Sequence, residues 1–348
     1  MNEGKKNIRA LAEKDLKSTF INLGEKPFRV DQITRWLWKE GVESFSDMTN
    51  LSKPLREKLD QEYFIPRIKV ALMQQSKDKT IKLAFELHDG KNVEGVLIPS
   101  KDRVTACISS QVGCSLDCRF CATGFLKRER NLESYEIYDQ AQILNRIAEE
   151  QYGKGLTNIV LMGMGEPLLN YKNVMDGIDW INSEEGMHMS MSRITLSTAG
   201  IVKMITKMAD ENVKFNLALS LHASNDEKRS AIMPINDSNS LDQLAEALSY
   251  FNEKTGTRPT LEYCVISGVN DSTEDANELA VFSHRFPSKV NLIEYNSIDL
   301  AQFESPGQSA IEAFASKLEK QKVIVNIRRS RGKDIDAACG QLANKLEV

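Results

Sequence analysis

No apolar run in this chain is long enough to cross a bilayer, which argues against a membrane-spanning helix. The first residues, Met1-Asn-Glu-Gly-Lys-Lys-Asn, lack the apolar stretch of a secretion signal, so a cytoplasmic protein is expected. An excess of basic charge is missing too. The formal net charge of −4 argues against a strongly basic nucleic-acid binder, though not against a local basic surface. Four histidines in the whole chain give little basis for a histidine-built zinc centre. No internal repeat or low-complexity segment is visible, and glycine and proline punctuate elements rather than form a long linker. What is there is 348 residues with 41% hydrophobic content, enough for a large core in one main domain with an appendage.

Basic residues gather at Lys5/Lys6, at Lys127/Arg128/Arg130 and at Arg328/Arg329/Arg331/Lys333, and each run taken singly reads as a solvated face. Six cysteines in a chain expected in the cytosol do not read as a disulfide framework. Four of them fall between Cys107 and Cys121, which favours metal or redox chemistry. Cys264, in the strand-like run Pro259-Thr-Leu-Glu-Tyr-Cys-Val-Ile, reads as a small buried hydrophobe. Cys114, Cys118 and Cys121 have the spacing C-x3-C-x2-C. Three thiolates can hold a [4Fe–4S] cluster by three irons and leave the fourth free for a ligand that reacts, whereas electron-transfer clusters normally take four cysteines. Zinc bound by this run with Cys107 as fourth ligand is the alternative, and it leaves Cys339 and the strand-end motifs below without a role.

The first sixty or so residues read as helical. Ile33, Trp36 and Leu37 fall on nearly one face, and Ser52 before Pro54 suggests the capped start of another helix. Trp36 and Trp38 read as core rather than as a base-stacking platform. Alternating runs at Ile68–Met73 and Ile81–Leu87 follow, and Asp89-Gly90 turns the chain into Val93–Pro99 as a hairpin. From Thr105 strands alternate with helices. Strand-like runs occur at Ala106–Ser109, Asn158–Met162, Ile194–Ser197, Phe215–Leu221, Leu261–Ile266 and Val290–Tyr295, separated by helices such as Ser134–Glu150, Ile201–Asp210, Leu241–Glu253 and Ser272–Phe286. This is the pattern of a parallel sheet with helices outside, as an open wound sheet or a partial barrel. A last strand at Val323–Ile327 leads into a helix expected from Asp334 onward, carrying Cys339. The expected domains are a helical accessory domain over 1–65, a β-hairpin connection over 66–100 and a core over 101–348.

The run Val112-Gly-Cys-Ser-Leu-Asp-Cys-Arg-Phe-Cys-Ala-Thr-Gly resembles the signature of the radical S-adenosylmethionine (SAM) enzymes, in which the free iron chelates SAM. Further motifs sit where strands should end: Gly163-Met-Gly-Glu-Pro-Leu-Leu-Asn, Leu196-Ser-Thr-Ala-Gly, Leu219-Ser-Leu-His-Ala and Glu294-Tyr-Asn. With Arg331-Gly-Lys-Asp-Ile-Asp-Ala-Ala-Cys-Gly-Gln-Leu, they closely resemble one family, the RlmN-type radical SAM RNA methyltransferases, nearly end to end.

The resemblance implies an α/β fold: a partial (β/α)6 TIM-like barrel with a small N-terminal helical domain. It implies methylation of adenine C2 in 23S ribosomal RNA, in the peptidyl-transferase region, and in transfer RNA, at the adenosine 3′ of the anticodon. By that likeness Cys114, Cys118 and Cys121 bind the [4Fe–4S] cluster, and Gly165, Glu166, Ser197, Ser220, Leu221, His222 and Asn296 match contacts to SAM. Cys339 matches the methyl-carrying cysteine, Cys107 its resolving partner through a transient disulfide, and Glu94 the proton acceptor. Two SAM molecules per turnover, a flavodoxin-like or similar electron donor and a monomer are expected. Adenine C2 is electron-poor and a poor nucleophile, which is why a carbon radical formed on the Cys339 methyl group suits the reaction. The chief alternative is the same chemistry at adenine C8, the Cfr-type activity. An iron–sulfur or zinc protein that binds RNA without catalysis is a third reading.

Overall fold

The computed structural model describes residues 4–344. A ten-stranded sheet organises it, in the order Val325–Arg328, Lys289–Glu294, Thr260–Val265, Asn216–Ser220, Ile194–Thr198, Asn158–Leu161, Val104–Cys107, Asn92–Pro99, Ile81–Glu86 and Lys69–Gln75. From Val325–Arg328 to Val104–Cys107 every neighbouring pair is parallel. The remaining strands add on antiparallel. The sheet therefore ends in two open edges, and the molecule is a partial barrel. All the strands expected of the alternating units are present. The hairpin turned at Asp89-Gly90 is present too, and it extends the barrel sheet rather than standing apart from it.

Helices cover the outer face of the parallel strands, and the central strand Thr260–Val265 is buried at every position. The helices begin and end where the sequence places their signals. Leu241–Thr255 has a reciprocal Ser240/Gln243 capping box and stops at left-handed Gly256. Ser134–Tyr152 uses Glu133 and Glu136 in the same way and stops at Gly153.

The N-terminal helices Glu13–Asn22, Phe28–Thr34 and Lys53–Glu62 pack on the flank of the barrel. Ser52 does stand at the N-cap of the last, although its side chain makes no capping bond. Trp38 is buried, stacked on Trp180 of a barrel helix at 4.0 Å and 9°. Arg9 lies under the Trp38 ring and donates to Asp139 Oδ2 at 2.8 Å, while Arg67 donates to Asp139 Oδ1 at 2.9 Å. Trp38 thus belongs to the core, as expected.

The helix expected to carry Cys339 is not formed among the described residues. After a single 3-10 turn at Lys333–Ile335 the chain runs irregularly, and Cys339 sits in a turn. Left-handed backbone at Asp336 (φ 51°) and Gly340 (φ 85°) interrupts the helical ladder. Ala337 and Ala338 are instead buried beneath the loop.

Candidate active site

The cysteine loop follows the strand Val104–Cys107. It is closed by a short antiparallel pair, Gln111–Val112 with Arg130–Asn131, so the ligand run hangs from a fixed neck. Inside it the Cys121 amide donates to the Cys118 carbonyl at 3.2 Å and the Gly124 amide to the Cys121 carbonyl at 2.9 Å. Cys114, Cys118 and Cys121 line one cavity of about 170 Å³. Burial pushes all three thiols up, Cys114 to about 11, and for Cys118 the other two thiols add to the effect while Arg229 opposes it. The donor set suits an iron–sulfur cluster: three free thiols around one cavity, in a shell made apolar by Leu116, Phe120 and Met233. Metal binding would supply the deprotonation that burial resists.

Strand ends complete the wall. Gly165, Glu166, Ser197, Ser220 and His222 line the same cavity. Gly165 has φ 92°, and a Cβ there would meet the Gln111 side chain at 2.5 Å, so only glycine fits. The Glu166 carboxylate is buried and accepts from the Leu168 amide at 3.0 Å and the Ala199 amide at 2.7 Å, which tie its loop to the neighbouring strand end. Burial raises its pKa and those bonds oppose the rise. His222 Nδ1 accepts from the Cys264 amide at 2.9 Å, and burial, with Arg229 nearby, lowers its pKa to about 3. The imidazole is therefore neutral and keeps its one proton on Nε2.

Leu221 lies behind this wall, fully buried, with its carbonyl turned to Arg229. Asn296 is also off the wall. Its Nδ2 donates to the Cys339 carbonyl at 3.2 Å, and its buried Oδ1 has no partner, an acceptor left for a ligand.

A second cavity of about 120 Å³ adjoins the first and is lined by Cys107, Cys339, Arg328, Arg329 and Arg331. Cys339 lines both cavities and stands between them. It is exposed, although the protein atoms packed around it desolvate its thiol. Burial raises both thiols, Cys107 to about 12, with Cys339 adding to the rise and Arg328 countering it. Arg328 is held by Glu262 at 3.3 Å. All six cysteines are free, so the Cys107–Cys339 disulfide is not formed here; the two residues share a cavity as separate thiols.

Glu94 lines neither cavity. It is fully buried, 3.3 Å from Lys82 Nζ, and its Oε2 accepts from the amides of Ala343 at 2.8 Å and Asn344 at 3.1 Å. Cys264 is buried as expected, but it also lines the cluster cavity. Two features escape the sequence. Arg229 sits in a charged run, Asp226-Glu-Lys-Arg, that reads as solvated surface, and Glu262 and Arg328 come from the two strands that flank Lys289–Glu294 and meet across it.

Comparison with known proteins decides the family. Residues 6–65 match the family described as the ribosomal RNA large subunit methyltransferase N-terminal domain, and residues 108–280 match the radical SAM superfamily. The chain is 58% identical over 341 residues to the "probable dual-specificity RNA methyltransferase RlmN" of Cytophaga hutchinsonii, covering 98% of this chain and 93% of that one. The chain belongs to the RlmN family. It is 42% identical to the dual-specificity RNA methyltransferase RlmN of Anaeromyxobacter dehalogenans, covering 97% of this chain and 91% of the relative. A crystal structure of a radical SAM methyltransferase from Sphaerobacter thermophilus superposes with a TM-score of 0.91 at 38% identity, covering 98% of this chain and 100% of that one. The protein is a radical SAM RNA methyltransferase of RlmN type. Membership in that superfamily implies a [4Fe–4S] cluster and SAM.

Proposed function

We propose that the protein methylates C2 of adenosine in 23S rRNA and in tRNA through a methyl group carried on Cys339. The observation that carries this reading is that Cys339 lines both the cavity of the three cysteines and the cavity of Cys107. A methyl carrier must face the radical source on one side and its resolving thiol on the other.

Cys114, Cys118 and Cys121 would hold the cluster, and Gly165, Glu166, Ser197, Ser220, His222 and Asn296 would surround SAM. When bound, the cluster and SAM supply a 5′-deoxyadenosyl radical that removes one hydrogen from the Cys339 methylthio group. The Cys339 thiolate first accepts the methyl group from another SAM by displacement, which makes two per turnover. The sulfur-stabilised carbon radical bonds to C2, leaving RNA tethered to Cys339, and the unpaired electron of this adduct would return to the cluster held by Cys114, Cys118 and Cys121, which gave up one electron to cleave SAM. Glu94 is the candidate acceptor of the C2 proton. For that role the Ala343 and Asn344 amides must release its carboxylate, so RNA binding would displace the C-terminal segment. The Cys107 thiolate then forms an S–S bond with Cys339 as the S–C bond breaks, and the released carbon takes up a proton to become the methyl group. Cytosolic thiols reduce the disulfide before the next cycle, consistent with a cytoplasmic enzyme. Among the described residues no helix is long and apolar enough to cross a membrane.

Arg329 and Arg331, on the rim of the Cys107 cavity, and exposed Lys127 and Arg128 beside the cysteine loop would meet RNA phosphates. Arg130 is taken up by Asp89 and buried Glu136, whereas Arg329 and Arg331 pair with Glu312 and Asp78 nearer solvent and would exchange those carboxylates for phosphate. The N-terminal helices would help to grip a loop or partly unfolded RNA in which the target base is unstacked.

Anaerobic incubation of the reconstituted protein with SAM, a reductant and a 23S RNA fragment, followed by nucleoside mass spectrometry, tests the reading. 2-Methyladenosine supports it. 8-Methyladenosine keeps the cysteine chemistry and overturns the position.

A further inference from the structure

Arg229 is fully buried, yet it has no carboxylate among its hydrogen-bond acceptors. Its Nε donates to the Leu221 carbonyl at 3.0 Å, Nη1 to Asn236 Oδ1 at 2.8 Å, and Nη2 to the carbonyls of Ala199 at 2.6 Å and Ser220 at 3.2 Å. All of these are neutral. A buried cation is ordinarily paired with an anion, because dipoles alone replace its hydration poorly.

The short helix that carries Arg229, Asp226–Ile232, is docked on the cysteine loop. The Arg119 amide donates to the Ile232 carbonyl at 3.0 Å, and Ile232 and Met233 pack with Phe120 in the apolar shell that Cys118 and Cys121 also touch. Ala199 and Ser220, whose carbonyls Arg229 gathers, both line the cluster cavity. The guanidinium thus sits immediately behind the wall, with two acidic groups near it: the Cys118 thiol on the cavity side, and exposed Asp226, which hydrogen-bonds to the same Asn236 that accepts from Arg229 Nη1.

We propose that Arg229 is a positioning residue whose buried charge is the counter-ion of the thiolate-bound cluster, raising its reduction potential while its hydrogen bonds fix the adjoining strand ends. This rests on the reading that Cys114, Cys118 and Cys121 hold a [4Fe–4S] cluster. Three thiolates outweigh the core's positive charge, and reduction adds one more negative charge. A fixed cation therefore favours the reduced form, strongly so in a shell that excludes water. A purely structural role predicts the opposite sign, since water admitted to a loosened shell also stabilises the more negative cluster.

The test is to reconstitute wild type, Arg229→Met, Arg229→Gln and Arg229→Lys anaerobically. Iron and sulfide are then counted, and the cluster is titrated against potential by electron paramagnetic resonance without SAM. The neutral variants should be harder to reduce by about tenfold in the reduction equilibrium, about 59 mV for one electron. Arg229→Lys should stay near wild type. A neutral variant that loads fully and titrates at or above the wild-type potential overturns the proposal. If neither neutral variant retains a cluster, Arg229→Lys decides. Loading at the wild-type potential supports the charge role, and loading no better than Arg229→Met overturns it. Wild type that takes up no iron and sulfide overturns the cluster reading itself, and the inference with it.

Discussion

Asn296 donates its side-chain amide to the backbone carbonyl of Cys339 at 3.2 Å, tying the end of a barrel strand to the loop of the candidate methyl carrier. The same side chain has an unpaired oxygen available to a ligand. One hydrogen bond of this kind contributes about 1 kcal/mol, and more where a ligand also depends on it. Asn296→Ala is therefore expected to slow methylation of Cys339 about tenfold, read by intact-protein mass after incubation with SAM. An unchanged rate would contradict this positioning role.

Asp139 joins the N-terminal helices to the barrel by holding Arg9 and Arg67 together. Its side chain is almost wholly buried, as is that of Arg9. Removing the carboxylate leaves two guanidinium groups facing each other with little water. Asp139→Ala should lower unfolding stability by about 3–5 kcal/mol. Urea denaturation showing a loss below about 1 kcal/mol would mean that the junction relaxes around the missing charge.

His222 gives a signed dependence on pH. Burial, with Arg229 nearby, holds its folded pKa at about 3, below the ordinary histidine value of about 6.5, so the native state resists protonation that the unfolded chain accepts. The stability it contributes is fully present above about 6.5 and declines as pH falls toward about 3. The slope is at most about 1.4 kcal/mol per pH unit. His222→Gln should flatten the acid limb of the apoprotein's stability in that window. An identical limb in both proteins would show that other groups carry it.

Glu94 separates two stages of the proposed cycle. It lines neither cavity, so Glu94→Gln should leave methylation of Cys339 intact. Loss of a positioned base should lower RNA methylation on the order of 100-fold or more. Because Lys82 then loses its buried partner, thermal unfolding should be measured alongside. Full turnover of RNA by a folded Glu94→Gln protein would remove Glu94 from proton transfer.

The barrel was legible because short strand-like runs alternate with helical segments, several of them opened by a capping residue. The cysteine loop was legible because its spacing is tight and its glycines are sterically required. The run from Asp334 that carries Cys339 reads as a helix in the sequence. Left-handed backbone at Asp336 and Gly340 overrides that pattern, and side-chain type at Asp336 does not announce it. Arg229 was invisible for a related reason: its neighbours in sequence are charged and solvated, while its partners are backbone carbonyls from two strand ends. Glu94 stands out only through the family resemblance, and nothing local says that amides some 250 residues away close over it.

The pairing of Cys339 as methyl carrier with Cys107 as its release partner is tested most directly by Cys107→Ala. Incubated with SAM, reductant and RNA, this variant should accumulate RNA bonded to protein, with digestion placing the adduct on the peptide that contains Cys339. Free methylated RNA at the wild-type yield, with no adduct at Cys339, would contradict it.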